Sequence, residues 1–332
     1  MYEDDDLGES RRLPFAIVTD STADLPLEVL RRFDVKMVPL HVSYEGNDWR
    51  DGVDIKPDAY LDVLARCDEL PKSSQPAPAD WLEAYEGLVG EGYRQILSLH
   101  LPAAVSGTVE TARACAAEVE QAHPGVRIEV IDTYTASIGE GVDVLSCALL
   151  REAGGTFDEA VARVRDIRPT QRFFFVPDTL DNLVKGGRLS RLAGMAASML
   201  DIKPIIETTD VCGMVVSAKV RGMRKALTRV ADLLGRRMRE VGPLAFFRLD
   251  AHASAGTREL LERLVVEPLE RAGAKCLGTA TIGPVIATHI GLGATGIYSF
   301  GQAFCDRRLQ DVLGTFLADV PGFPGASQGD MA

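Results

Sequence analysis

Short apolar runs alternate with amphipathic stretches from residue 14 to about residue 155 of the chain. Four runs have the length and pattern typical of strands: PFAIVTD, VKMVPLHVSY, YRQILSLHL and VRIEVIDT. Helical spacing of apolar positions appears in LPLEVLRRF, KPDAYLDVLARCD, APADWLEAYEGLVGE, the stretch from Gly107, and SIGEGVDVLSCALLREAG. This alternation predicts a parallel sheet that is covered by helices on both faces.

The pattern changes after Gly154-Gly155. A helix, TFDEAVARVRDI, leads into the strand TQRFFFVP, and two strand-like runs between 203 and 218 are separated by a turn-like segment, which predicts an antiparallel pair. Further on, we expect a helix at GMRKALTRVADLLGRRMRE, a strand at GPLAFFRLDAH and a helix over 254–272. The sequence therefore predicts an α/β protein of two domains: a parallel-sheet domain over 14–165 and a mixed-sheet domain over 166–318, with tails at 1–13 and 319–332.

Composition narrows the class of protein. The chain has 332 residues, 46% of them hydrophobic and 25% charged, with a formal net charge of −12. That charge disfavours broad binding to nucleic acid or to an anionic membrane surface, since both favour basic patches. No stretch approaches the roughly 18 apolar residues of a membrane span, and the acidic start lacks the basic region of a signal peptide. We therefore expect a cytoplasmic protein without membrane insertion.

Cysteine and histidine spacing indicates no metal centre. The six cysteines lie far apart without a CxxC pair, and the five histidines form no HExxH or HxH motif. A disulfide framework is disfavoured for the same reason. We expect neither a metal nor an organic cofactor.

Two loops bring hydroxyl groups to predicted helix starts. Ser106-Gly107-Thr108 joins the strand that contains 95–99 to a helix, and Ser73-Ser74-Gln75 precedes another helix between prolines. Hydroxyls and backbone N–H groups at such a position attract a negative or strongly polar group, and the absence of lysine argues against a Walker-type phosphate loop. Each loop alone is also explained as a turn or a cap. Together the loops could clasp one carboxylate with neutral donors.

The segment from Asp20 to Asp24 comes directly after the first strand, where ligands sit in open parallel sheets. Asp20, Ser21 and Thr22 are therefore candidates for lining a pocket. The alternative is a purely local role, because Ser, Thr and Asp are good turn and N-cap residues. In that interpretation Asp24 caps the next helix, with Pro26 in its first turn.

Three further features have open interpretations. His289 ends an apolar run beside a glycine loop, where it is either a packed residue or a donor to an anion, and no GxSxG elbow supports a hydrolase. GLGATG at 291–296 matches the dinucleotide pattern by letters, but the next residues, IYSFGQAF, begin as a strand rather than a helix. The Gly-, Ala- and Met-rich segment 182–204, with Met195, is either a close-packed helix or the wall of a tunnel for a long, thin ligand.

Seven ordered motifs make the chain resemble the DegV family, the fatty-acid-binding subunits of bacterial fatty acid kinase. These are FAIVTDSTADLP, PKSSQPAPADW, LSLHLPAAVSGTVETA, IDTYTASIGEG, VPDTLDNLVKGGRLSRLAG, LDIKPII and IGPVIATHIGLGATG, which together cover about 14 to 300. The resemblance implies one long-chain fatty acid in a tunnel between two α/β domains. It also implies that the protein is not itself the kinase. It presents the carboxylate to a separate ATP-dependent catalytic subunit, and the acyl-phosphate feeds phospholipid synthesis.

The family's site residues carry over by position. Ser106 matches the carboxylate-binding serine, Ser73 with Ser74 beside it matches the hydroxyl of the TSQP loop, and His289 matches the histidine of the same network. Arg188 matches an arginine near the head group or the kinase-docking surface. The sequence departs from the family in having serine where threonine is usual in that loop, and TTDVCG in place of a TDG turn.

Two other classes of function remain open. One is a small-molecule kinase or phosphotransferase of related fold, which needs a nucleotide or phosphohistidine site. The other is a carrier of a different hydrophobic acid, such as an isoprenoid acid. If a kinase partner is recognised electrostatically, the acidic net charge predicts a local basic patch around Lys185, Arg188 and Arg191.

Overall fold

The computed structural model describes residues 13–188, 202–209, 213–280 and 282–317. Residues 13–167 contain seven strands: β1 (Ala16–Asp20), β2 (Val35–Val38), β3 (His41–Tyr44), β4 (Asn47–Arg50), β5 (Lys72–Ser74), β6 (Gln95–His100) and β7 (Arg127–Asp132). Six helices lie between and after them: α1 (Leu27–Arg32), α2 (Pro57–Leu64), α3 (Pro78–Gly90), α4 (Thr108–Ala122), α5 (Ile138–Glu152) and α6 (Phe157–Ile167).

The first sheet is parallel throughout. Its strand order is β2-β1-β6-β7, and its carboxyl ends therefore meet at one edge. Strands β3, β4 and β5 form a small antiparallel sheet of their own, in the order β4-β3-β5. This confirms the predicted parallel sheet of the first domain.

The described residues from 168 onward contribute to a larger mixed sheet. Its strands are β8 (Arg172–Val176), β9 (Ile202–Thr209), β10 (Gly213–Arg221), β11 (Leu244–Asp250), β12 (Lys275–Ala280) and β13 (Thr295–Gly301). The order is β10-β9-β8-β13-β11-β12, in which only β11 and β12 pair in parallel. The helices of this part are α7 (Asp181–Lys185), α8 (Met223–Val241), α9 (Ala255–Leu261), α10 (Glu267–Arg271), α11 (Pro284–Ile290) and α12 (Arg307–Leu317). The mixed second sheet is also confirmed.

The hydrophobic core runs through both parts. Helix α5 is buried along almost its whole length and contacts β1 and β6 of the first sheet and β13 of the second. On the second sheet, alternate side chains of β8 point to opposite faces: Phe173 and Phe175 join the core shared with α5, whereas Phe174 packs under α8. The domain boundary predicted at 165–166 stays a prediction. It lies between the last strand of the first sheet and the first strand of the second.

Two local predictions are wrong. The run 35–44, predicted as one strand, forms β2 and β3 in different sheets, because Pro39 has no N–H to continue a ladder. Asp24 does not cap α1: it adopts a left-handed conformation (φ 52°) as the C-cap of a short turn of 3-10 helix over Ser21–Ala23, and α1 starts after Pro26 without a side-chain cap.

Over the described ranges, none of the helices combines the length and the apolar character that crossing a bilayer requires.

Candidate functional site

An apolar cavity lies where the carboxyl ends of the first sheet face the second sheet. Its empty space, with the open mouth included, is about 910 Å³. Leu40, Leu101 and Tyr134 come from the segments after β2, β6 and β7. The other apolar lining residues are Pro102, Val105, Ala136, Phe173, Phe175, Leu183, Met214, Leu249, Val285, Ile286 and Ile290. The position agrees with the general rule for ligands of parallel sheets.

Polar side chains gather at one end of this cavity. They are Ser73, Ser74, Gln75, Ser106, Arg188 and His289. Ser73 Oγ lies 2.8 Å from His289 Nε2, although the two residues are 216 positions apart in the chain. The structure thus brings residues of both predicted hydroxyl loops, the histidine and the arginine to one place.

Gln75 joins the two hydroxyl loops. Its Nε2 donates to Thr111 Oγ1 at 2.7 Å, and its Oε1 lies so close to Gly107 that a Cβ there would be 2.4 Å away. A side chain at Gly107 would displace the exposed end of the Gln75 side chain from this position. Ser106 Oγ lies 2.9 Å from Thr108 Oγ1 at the start of α4.

His289 is held in a neutral state. Burial, and then the nearby Arg188 guanidinium, lower the pKa of His289 from 6.5 to about 4. Its Nδ1 is buried without a partner beside Gly186, where a Cβ would lie 2.6 Å from that nitrogen. When Nε2–H donates to Ser73 Oγ, the Ser73 hydroxyl proton is free to point at a ligand.

Arg188 supplies the positive charge at this end of the cavity. Its Nε donates to Val105 O at 3.2 Å and its Nη1 to Gly186 O at 2.6 Å, so its position is fixed by the backbone on two sides. Hydroxyls, a neutral imidazole and one guanidinium together suit a singly charged, planar anion such as a carboxylate.

The other predicted site residues lie elsewhere. Asp20, Ser21 and Thr22 are buried at the end of β1 and do not border the apolar cavity. Asp20 Oδ1 accepts from Thr22 N at 2.9 Å, and Ser21 Oγ donates to Asp51 Oδ2 at 2.8 Å. These side chains are therefore already engaged in buried hydrogen bonds. Ser21 lines a separate depression of the surface.

Among the remaining predictions, Gly107 and Thr108 support the cavity rather than line it. Gly107 is exposed and Thr108 is fully buried behind Ser106. Met195 and Arg191 lie outside the described residues, as does Cys212. GLGATG connects α11 to β13, with Gly291 and Gly293 at φ 77° and 80°. A helix-to-strand loop of this kind lacks the strand-to-helix geometry of a dinucleotide site.

Sequence reasoning missed a buried carboxylate cluster behind the cavity. Burial raises the pKa of Asp24 to about 7 and those of Asp51 and Glu140 well above their usual range. Ser137 Oγ donates to Asp24 Oδ2 at 2.5 Å. No signal in the sequence distinguishes these acids from exposed ones. Across the described part of the chain, no group of three or more His, Cys, Asp or Glu side chains has an arrangement that could hold a metal ion.

Comparison with known proteins gives consistent matches over most of the chain. The model of a family described as "Uncharacterised protein, DegV family" matches residues 14–301. A DegV domain-containing protein of Listeria innocua serovar 6a is 36% identical over 279 residues, which are 84% of this chain and 95% of that protein.

Two solved structures share the fold. One is DegV, a fatty acid binding protein from Bacillus subtilis, with a TM-score of 0.74 and 27% identity over 87% of this chain and 100% of that one. The other is a DegV family protein from Thermus thermophilus, described for its fatty acid binding, with a TM-score of 0.72 and 30% identity over 87% of this chain and 99% of that one.

Proposed function

This chain belongs to the DegV family, and we propose that it binds a long-chain fatty acid in its apolar cavity and presents the carboxylate to a separate ATP-dependent fatty acid kinase. Fatty acid binding by the Bacillus and Thermus proteins supports the first half of this proposal. The second half rests on the resemblance of the site motifs. In this proposal the chain has no kinase activity and needs no cofactor, and it works in the cytoplasm.

The observation that carries the proposal is a cavity that is apolar along its walls and polar at one end. Burial of an acyl chain against such walls contributes about 0.8 kcal/mol per methylene before the costs of ordering and desolvation. The carboxylate then accepts from Ser73, Ser106 and Arg188, whose hydroxyl and guanidinium groups border that end.

Exposure at the polar end supports presentation to a partner. Ser74, Gln75 and Gly107 are exposed, whereas the apolar walls are largely buried. A carboxylate at this end is therefore within reach of a second protein, which adds the phosphoryl group and releases an acyl-phosphate for phospholipid synthesis. In the basic patch predicted for docking, Lys185 is exposed and Arg188 is half-buried against the backbone.

Mass spectrometry of the protein as purified tests the ligand class. We expect a stoichiometric adduct in the native spectrum and a released mass that matches a fatty acid after denaturation and organic extraction. A different hydrophobic acid would identify a carrier of another ligand. A protein without an adduct, also after incubation with fatty acids, contradicts the proposal. ATP hydrolysis by the protein alone would favour the small-molecule kinase.

Replacement of the two hydroxyls tests the carboxylate site. Hydrogen bonds to a charged group contribute about 1.5–3 kcal/mol each, so Ser73→Ala and Ser106→Ala should each weaken fatty acid binding roughly 10- to 100-fold. Titration of delipidated protein with a fluorescent fatty acid measures this change. Ser43→Ala, on the neighbouring strand β3 and outside the cavity, serves as the control. Unchanged affinity in the double variant is incompatible with the proposed carboxylate position.

A further inference from the structure

A compact turn after β6 carries Ser106 to the polar end of the cavity. Val105 N and Ser106 N both donate to Pro102 O, at 3.0 and 3.2 Å, so residues 102–106 form one turn, the Ser106 turn. Pro102, Val105 and Ser106 line the cavity, whereas the side chain of Ala103 is exposed. The place of the Ser106 hydroxyl therefore depends on where this turn is held.

Asp132 holds the Ser106 turn from the end of the neighbouring strand β7. Its Oδ2 accepts from Ala103 N at 3.0 Å, although the two residues are 29 positions apart in the chain. Asp132 is only 8% exposed. Because buried polar groups are normally paired and are costly to leave unpaired, this bond ties the turn firmly to the first sheet.

The other carboxyl oxygen of Asp132 holds a second part of the cavity wall. Its Oδ1 accepts from Tyr134 N at 2.8 Å, an arrangement that is typical of aspartate in turns. Tyr134 lines the cavity and has a φ of 59°, in the left-handed region that side chains of this size seldom adopt. One buried carboxyl group thus bridges two segments of the wall.

Two further long-range bonds reach the same stretch of chain. Asp20 Oδ2 accepts from Leu101 N at 3.3 Å, and Arg188 Nε donates to Val105 O at 3.2 Å. The bond that Asp132 accepts, at 3.0 Å, is the shortest of the three and lies between the other two along the chain. We therefore expect its loss to move the turn most.

We propose that Asp132 is a positioning residue for ligand binding, which acts through the Ser106 turn and sets the place of the Ser106 hydroxyl. This inference rests on the proposed fatty acid binding. Asp132 does not border the cavity, so its effect on the ligand passes through the bond to Ala103. Ser73 is placed independently, since it lies on β5 and pairs with Val42 of β3.

Titration of delipidated full-length protein with Asp132→Ala tests the positioning role. Competition of hexadecanoic acid against a fluorescent fatty acid measures the affinity, which we expect to fall roughly threefold to tenfold, the effect of one net hydrogen bond. Glu120→Ala is the matched control: Glu120 Oε1 accepts from Ile128 N at 2.7 Å near the other end of β7, and Glu120 does not border the cavity. Unchanged affinity in folded Asp132→Ala overturns the inference.

Double variants show whether Asp132 acts through Ser106. If it does, Asp132→Ala changes the affinity by less than about twofold in protein that already carries Ser106→Ala, because the hydroxyl that it positions is absent. In protein that carries Ser73→Ala, the full effect of Asp132→Ala should remain. A general loosening of the fold gives the same loss in both backgrounds, and that result contradicts a positioning role.

Ala103→Pro breaks the same bond from the other side, and it decides if Asp132→Ala does not fold, as judged by thermal unfolding. The substitution removes the Ala103 N–H and leaves the bond between Asp132 and Tyr134 in place. Ala103 is the second residue of the turn that Val105 N closes onto Pro102 O, a position that favours proline. We expect weaker binding of hexadecanoic acid, and a much smaller change when Ser106→Ala is also present. Unchanged affinity in folded Ala103→Pro overturns the inference.

The two proposals fail in different ways. If the wild-type protein binds neither hexadecanoic nor octadecanoic acid, the proposed function itself is wrong. If Ser106→Ala weakens binding, whereas folded Asp132→Ala and Ala103→Pro do not, only the positioning role of Asp132 is lost.

Discussion

His289 shows how one residue links the candidate site to the stability of the fold. It is partly buried between Ser73 and Gly186, and its pKa of about 4 keeps the imidazole neutral at pH 7. Under the proposed function, we therefore expect ligand affinity near neutral pH to depend on the hydroxyls and on Arg188 rather than on an imidazolium. The lowered pKa also has a thermodynamic consequence, because the unfolded chain takes up this proton more readily than the folded one.

We predict that the contribution of His289 makes the protein less stable as the pH falls from 6.5 toward 4. The folded pKa lies below the unfolded value, so protonation favours the unfolded state over this window, by about 2 kcal/mol at pH 5. Urea unfolding of the wild type and of His289→Asn at pH 7 and pH 5 measures the difference. The free energy of unfolding should fall more for the wild type than for the variant. Equal changes would show that His289 is not buried in its neutral form.

Residue types singled out some side chains that border the cavity and others that do not. Ser73, Ser106, Arg188 and His289 all border one cavity, but their roles toward a ligand stay a prediction. The side chains of Asp20 and Ser21, in the turn after β1, instead form buried hydrogen bonds away from this cavity. Hydroxyl and carboxyl groups after a strand can either line a cavity or form local hydrogen bonds. Only the direction of each side chain in the folded structure decides between these two roles.

At the scale of elements, the short helix α11 carries His289 and is fixed from several sides. The Tyr60 hydroxyl on α2 lies 2.5 Å from Thr288 Oγ1, and Asn182 Nδ2 on α7 donates to Thr288 O at 2.9 Å. At its start, Gly283 lies against Asp24, and a Cβ there would be 2.1 Å from Asp24 Oδ1. Helix α11 therefore has little freedom to shift.

We predict that Gly283→Ala destabilises the protein by about 1–3 kcal/mol through this overlap. Combination with Asp24→Ala should remove most of that loss, since the remaining neighbour, Asp51 Oδ1 at 3.6 Å, is at an ordinary van der Waals distance. Chemical unfolding of both single variants and of the double variant gives the coupling energy. Gly256→Ala on α9, where nothing lies within 4 Å of a Cβ, is the control. Additive effects of the two substitutions would exclude a direct clash.

Most elements could be predicted from periodicity, and the failures have local causes. The capping box of Thr156 and Glu159 and the continuous apolar run of β8 are signals of the chain itself. The split of 35–44 depends on Pro39 and on Leu40 N, which donates to Ser21 Oγ at 3.0 Å. That bond comes from a residue 19 positions away, so the single-strand pattern of apolar side chains could not reveal it.

At the scale of the whole molecule, the cavity lies between two sheets and takes walls from both. Leu101 and Tyr134 belong to the first part of the chain, and Phe175 and Leu249 to the second. A ligand in this position contacts both parts at once. Its binding free energy therefore contributes to holding the two sheets together.

We predict that a bound fatty acid raises the unfolding temperature of the entire molecule in one transition. At a free concentration about 100-fold above Kd, linkage gives about 2.7 kcal/mol. Calorimetry of delipidated and reloaded protein measures the shift. Protein with both Ser73→Ala and Ser106→Ala should show a smaller shift at the same ligand concentration. A ligand-induced shift confined to one of two separate transitions would contradict a shared cavity.

The contact between Ser73 and His289 also sets the order of events during protein synthesis. A ribosome that adds roughly 5–20 residues per second needs roughly 10–40 s to extend the chain from one residue to the other, because 216 positions separate them. Throughout that interval the nascent chain carries the serine without its histidine partner. A chain that ends before His289 therefore lacks this pair, and under the proposed function such a chain cannot yet hold the carboxylate between Ser73 and His289.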